Sequence, residues 1–190
     1  MPVKSFQDRK LAILITILVT VLATSLGVYK TSAIYTKKVE AGFYDGVAPK
    51  GEGFTQPGIN YYLNNCANEA LNLATVMAGY PELSEKSEAL LSARRELLTD
   101  GSIAYKQAAF RLMDSCFGGL ADAAKGAALS DVDAKALSDY VSNYRGAVTV
   151  ISSSAYNGTV TEYLDGRSPL MQSFSGLIPM KEPAYFTLSE

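Results

Sequence analysis

A chain of 190 residues with a net charge of −2 and no histidine excludes several functions before any motif is read. Without imidazole it lacks the commonest general base, the commonest zinc and haem ligand, and the ordinary Ser-His-Asp arrangement. Its acidic balance, with no basic patch beyond residue 38, argues against nucleic acid as a partner.

Residues 11–29, beginning at Leu11 and ending at Tyr29, carry no charge and are flanked by Lys4, Arg9 and Lys10 before and Lys30, Lys37 and Lys38 after. As a helix rising about 1.5 Å per residue they cover roughly 30 Å, the thickness of a bilayer's hydrocarbon core. With no proline and only Gly27 near the end, the run is predicted to be a single-pass transmembrane helix that satisfies its own backbone. Thr16, Thr20 and Thr24 recur every fourth residue, a spacing at which hydroxyls bond back to carbonyls one turn earlier or meet another helix. A cleaved secretory signal is the rival reading, since Ala23, Thr24 and Ser25 are small, but the stretch is long for one and no Ala-x-Ala site closes it. Arg9 and Lys10 abut the run directly while the basic residues beyond it are spread out. That tilts the prediction towards the N-terminus inside and the remaining residues outside the cytoplasm. No other segment has the length or apolarity to span, so membrane attachment is expected here alone.

Helical spacing continues through Tyr35, Val39 and Phe43, and Asp45-Gly46 ends it. Residues 47–58 carry Pro49, Gly51, Gly53, Pro57 and Gly58, a breaker density that predicts a linker acting as a hinge. The expected organisation is a tail, span and helical extension over 1–46, the linker over 47–58, and a helical bundle domain with an irregular tail over 59–190. A domain of that size can bury a real core.

Over residues 59–79 the set Leu63, Cys66, Ala70, Leu73 and Met77 steps by three and four, one stripe on one helical face, and Gly79 with Pro81 stops it. On another face Asn64, Asn68 and Asn72 recur every fourth residue. Asparagine is a poor helix former, so beside the plain reading of a solvated face stands a candidate interaction face. Cys66 and Cys116 lie too far apart for a CxxC motif and read as small buried hydrophobes. An oxidising compartment would allow them to form a disulfide, worth up to roughly 4 kcal/mol for a loop of about fifty residues.

Ser84 starts a second bundle helix predicted to run to about Cys116, with Leu83, Leu90, Leu97 and Ala104 seven apart, Leu91, Leu98, Tyr105 and Leu112 beside them, and a kink at Thr99-Asp100-Gly101. Gly- and Ala-rich residues 117–129 read as a frayed end and a connection. Ser130 and Asp133 form a start signal, and Leu137, Val141, Tyr144, Val148, Ile151 and Ala155 behind it form a heptad seam. Ser152, Ser153 and Ser154 have no identifiable base and are placed on a helix exterior. Beyond Asp165, Gly166, Pro169, Gly176, Pro179 and Pro183 predict an irregular surface tail. The tyrosines, Tyr61, Tyr62, Tyr140, Tyr144, Tyr156 and Tyr163, read as core residues with tethered hydroxyls, with an exposed recognition patch as the alternative.

The stretch Ile59-x-x-x-Leu63-x-x-x-Ala67-x-x-x-x-Asn72-Leu73, closed by Gly79-Tyr80, resembles the first bundle helix of LemA family proteins. Ala93-Arg94 falls where they carry an Ala-Arg pair. Tyr156-Asn157-x-x-Val160-x-x-Tyr163 resembles that family's Tyr-Asn repeat, and Gly176, Leu177, Pro183 and Phe186 its Pro-x-Phe ending. The chain departs from the family at Asn65, Cys66 and Asn68, which replace a basic pair and an acidic position. The resemblance implies a membrane-anchored antiparallel bundle without a defined activity.

The reading is therefore all-α: an N-terminal single transmembrane helix followed by an antiparallel bundle of three to four long helices. The expected function is non-catalytic, a structural or scaffold protein at the cell envelope with no cofactor or metal. Its partners would be the membrane, through the anchor, and a protein of unknown identity, with no nucleic acid. The alternatives are a histidine-free envelope enzyme, which needs converging carboxylates, and a carrier of a lipid or peptide, which needs an apolar cavity between helices.

Overall fold

The computed structural model describes residues 9–49, 51, 53–175 and 180–188. These form α1 (Arg9–Asp45), α2 (Ile59–Met77), a 3-10 turn (Pro81–Leu83), α3 (Ser84–Leu98), α4 (Ile103–Lys125), α5 (Asp131–Ser152), α6 (Tyr156–Asp165) and α7 (Pro169–Ser175). The expected Gly176, Leu177 and Pro179 of the tail lie outside the described residues.

α1 is one unbroken helix of 37 residues, about 55 Å long. It is long and apolar enough to cross a membrane, and only 6% of its most apolar window is buried, which distinguishes it from a core helix. Thr16 and Thr20 donate to the carbonyls of Ala12 and Thr16 at 2.9 Å. Those two hydroxyls are thus satisfied within the helix, as an apolar surrounding demands. Above them Val28, Ser32, Thr36 and Phe43 are buried, a stripe at steps of four and seven by which the upper half of α1 joins the bundle.

Gly46, at φ +100°, turns the chain out of α1, and a Cβ there would strike the carbonyl of Gln56. The Gly/Pro-rich linker is not the hinge its composition suggests. Val47 and Gln56 pair as an antiparallel bridge at 2.9 and 2.8 Å, and the Gln56 side chain accepts from the backbone N–H of Ala155 at 2.9 Å. Backbone pairing closes the loop and ties it to the end of α5.

α2 is the centre of the bundle, with α3 and α5 packed along it and α4 lying mainly against α3. All five residues of its predicted stripe are buried. Neighbouring helices run antiparallel, joined by short turns and pinned across them. Arg94 donates to the Ala67 carbonyl at 2.8 Å. Lys106, buried, donates to the Leu97 carbonyl at 2.8 Å, where a cation at a helix C-terminus is favourable. Tyr80 donates to the Asp133 carboxylate and accepts from Ser130 N, clasping the end of α2 to the start of α5. Ser130 caps α5 as its sequence predicts, accepting from Asp133 N at 3.2 Å.

Three expectations are corrected. The second bundle helix does not run through a kink to Cys116: residues 99–102 are a full turn, and α3 and α4 pack back to back as separate helices. Ser102 caps the second, accepting from Tyr105 N, and Ala104, Leu112 and Tyr105 of the extrapolated stripe are exposed. Residues 117–129 are not frayed, since α4 continues to Lys125 with Phe117, Leu120, Ala121 and Ala124 buried. The tail is not wholly a surface segment. Phe186 is 2% exposed, its ring 5.5 Å from Phe43 and 6.2 Å from Phe110, and its burial supplies the driving force that holds residues 180–188 down.

Candidate functional site

Asn64, Asn68 and Asn72 are all exposed on one face of α2. Asn68 borders a depression, a space of about 450 Å³ between α2 and α5 whose wall includes Asn65, Glu69, Asn143, Gly146 and Val150 but neither Asn64 nor Asn72. The structure therefore joins Asn68 to Asn65 and Asn143 rather than assembling the three predicted residues into one pocket. Gly146 has nothing near the place a Cβ would occupy, so its missing side chain keeps the depression open.

Cys66 and Cys116 are both free; the disulfide left open by the sequence is not formed. Cys66 is buried, and burial above all, with Asp114 and Glu69 adding to it, pushes its thiol up to about 12. Such a thiol stays protonated at neutral pH, which makes it a poor nucleophile and metal ligand. Beside it the Tyr144 ring stacks on Phe117 with centroids 3.8 Å apart, and the same burial raises its hydroxyl, with Asp114 contributing. The Tyr144 hydroxyl and one Glu69 carboxylate oxygen are buried without a hydrogen-bond partner among the described residues. Unmet polar atoms of this kind cost stability. Among the described residues no three His, Cys, Asp or Glu side chains are placed to hold a metal ion.

Another opening among the described residues lies where sequence reasoning looked for nothing. Between the end of α4 and the first half of α5 is a space of about 630 Å³ walled by Ala124, Ala127, Leu129, Leu137 and Val141, with Lys125 and Arg145 on it. A second, of about 430 Å³, adjoins it through Lys125, Val141 and Arg145 and reaches Phe117, Gly118 and Val148. Both lie along the same pair of helices, where α4 and α5 meet at few points and α4 offers the small side chains of Gly118, Ala121 and Ala124. Val141 and Val148 are consequently half-buried, while Leu137, Tyr144 and Ile151 of the same seam are buried. The Gly/Ala run of residues 118–128, read as fraying, was the signal.

The other nominated residues fall into structural roles. Tyr156 is buried and donates to the Ala184 carbonyl at 2.7 Å; Tyr163 reaches the Ser32 carbonyl at 3.5 Å; Tyr61 is exposed and Tyr62 half-buried. Ser152 lies on the exterior of the last turn of α5, as expected, while Ser153 ends that helix and Ser154 accepts from Tyr156 N in the break before α6. Asn157, beside Tyr156, accepts from Phe186 N at 3.0 Å and donates to its carbonyl at 2.7 Å. No family model, curated protein or solved structure matches the chain.

Proposed function

We propose that this chain is a membrane-anchored helical-bundle protein of the LemA type, retained at the cell envelope by residues 11–29, where it scaffolds or binds another envelope protein without catalysing a reaction. The observation that carries this reading is the continuity of α1, which runs without a break from its exposed apolar half to Phe43 in the core. A bundle so joined is held at a fixed height and orientation to whatever surface the helix enters, as a scaffold requires and a freely diffusing enzyme does not. Two of the motifs quoted for the LemA resemblance meet in space: Tyr156-Asn157 grips residues 184–186 through three hydrogen bonds. The slight excess of positive charge abutting the N-terminal side favours the bundle outside the cytoplasm.

Site-specific photocrosslinking in the native membrane tests the reading. A crosslinker at Asn68 or Asn72 of the full chain is expected to capture a defined protein that a crosslinker at Val132 does not. Equal, unspecific labelling from all three positions would sink it. A carrier is the second reading, favoured by the groove between α4 and α5, whose volume lies in the range of ligand pockets. Lipid or peptide retained through purification, and lost in Ala124→Phe, would move the conclusion there.

A further inference from the structure

We infer that the depression between α2 and α5 is a socket for the ammonium of a lysine side chain carried by the envelope partner; this rests on the reading of the Asn68 face as a binding surface. The observation that carries it is Glu69. It is the one charged residue among the nineteen of α2, and the positions a turn away on its own helix, Asn65, Cys66, Asn72 and Leu73, hold no cation. Across from it α5 contributes Ser142, Asn143, Gly146, Ala147 and Val150 to the same wall, again without a cation. Arg145 lines the openings towards α4 instead. One Glu69 carboxylate oxygen is nevertheless buried with no donor among the described residues. A carboxylate that weakens the fold in this way is explained by something that it binds.

The rest of the wall fits an alkyl ammonium. Asn65, Asn68 and Asn143 bring amide oxygens from two helices, and an ammonium has three donors that point in different directions. A guanidinium spreads its donors in one rigid plane and is matched by both oxygens of a carboxylate side by side, whereas here one buried carboxylate oxygen stands with amide acceptors on a second helix. Tyr62, Ala147 and Val150, all half-buried, give the apolar surface that a four-carbon stem covers. Nothing lies within 4 Å of the place where a Cβ of residue Gly146 would stand, which leaves the space of about 450 Å³ open, a volume at the small end of ligand pockets.

Nitrogen-15 spectra of the full chain in detergent test the socket, with the side-chain amide signals of Asn65, Asn68 and Asn143 as reporters and Nα-acetyl-lysine methylamide as the probe. Saturable shifts are expected with the lysine probe, and binding at least about tenfold weaker with its norleucine and arginine counterparts. Glu69→Gln keeps the volume and removes the charge, so it should weaken the lysine probe by roughly tenfold or more while the chain melts no earlier than the wild type. Gly146→Leu grows into open space and should abolish binding with Glu69 intact. Norleucine binding as tightly as lysine, a lysine affinity unchanged in Glu69→Gln, or no shifts with any of the probes overturns the socket. Should either variant fail to fold by circular dichroism, the ranking of the probes on the wild-type chain decides alone. The photocrosslinker at Asn68 separates the socket from the scaffold reading. The same protein captured in equal yield from the Glu69→Gln membrane overturns the socket and leaves the scaffold, whereas probe binding with no protein captured overturns the scaffold and, with it, the partner as the source of the lysine.

Discussion

The two halves of α1 share one helix and differ in what surrounds them. From Leu11 to Leu26 every large apolar side chain is more than a third exposed, from Ile15 at 37% to Leu14 at 63%, all round the helix. Beyond that stretch, burial recurs on one face and takes in polar as well as apolar residues, with Ser32 at 2% and Thr36 at 0%. Hydrophobicity alone does not say which half packs on protein. The half that packs on protein has a periodic buried face with hydrogen bonds to other elements, whereas the hydrogen bonds of Thr16 and Thr20 in the half suited to lipid stay within the helix.

Substitutions on each half test that division, and the largest effect is expected at Phe43. It is fully buried and touches Tyr44, Tyr156 and Phe186, so Phe43→Ala should cost about 3–5 kcal/mol in a chemical melt of the detergent-solubilised chain. A loss below about 1 kcal/mol would show that the upper half of α1 is not core. Ile17→Asp should leave that melt unchanged but raise the cost of insertion by about 2.5–3.5 kcal/mol, read from the fraction of chain resisting alkaline extraction. If the same substitution lowers the melt instead, the lower half packs on protein and the comparison fails. Thr36→Val removes the hydrogen bond to the Lys181 carbonyl and should cost about 1 kcal/mol. The smallest effect is expected for Lys181→Ala. Its side chain is 62% exposed in the pair with Glu40, so the melt should change by under about 0.5 kcal/mol and less still in high salt.

Where local pattern decides structure, these elements could be read in advance. α2 shows its stripe and its stop, and α5 its Ser130 cap and heptad seam, because each signal lies within a few residues of what it specifies. The turn between α3 and α4 was misread because Leu83, Leu90 and Leu97 invite a fourth member. Ala104 fills the register but is exposed, and the better signal was Thr99-Asp100-Gly101 followed by Ser102 as a new cap. The exposed asparagine face was legible for the same local reason. The groove was not, since the gap beside Gly118, Ala121 and Ala124 depends on how far α4 and α5 splay, a matter of packing rather than periodicity. Phe186 was hidden more deeply, because its partners Phe43 and Phe110 lie far away in sequence and no spacing rule connects them.

The position of Phe186 sets an order of events during synthesis. The cavity between Phe43 and Phe110 stays open until a residue made roughly 140 positions after Phe43 has left the ribosome, which at about 5–20 residues per second is on the order of ten seconds. α1 is complete early in that interval, while α2 to α5 can pair as they emerge. The nascent bundle therefore waits with the space between Phe43 and Phe110 unfilled. Chaperones have that interval in which to shield it before the last segment closes the fold.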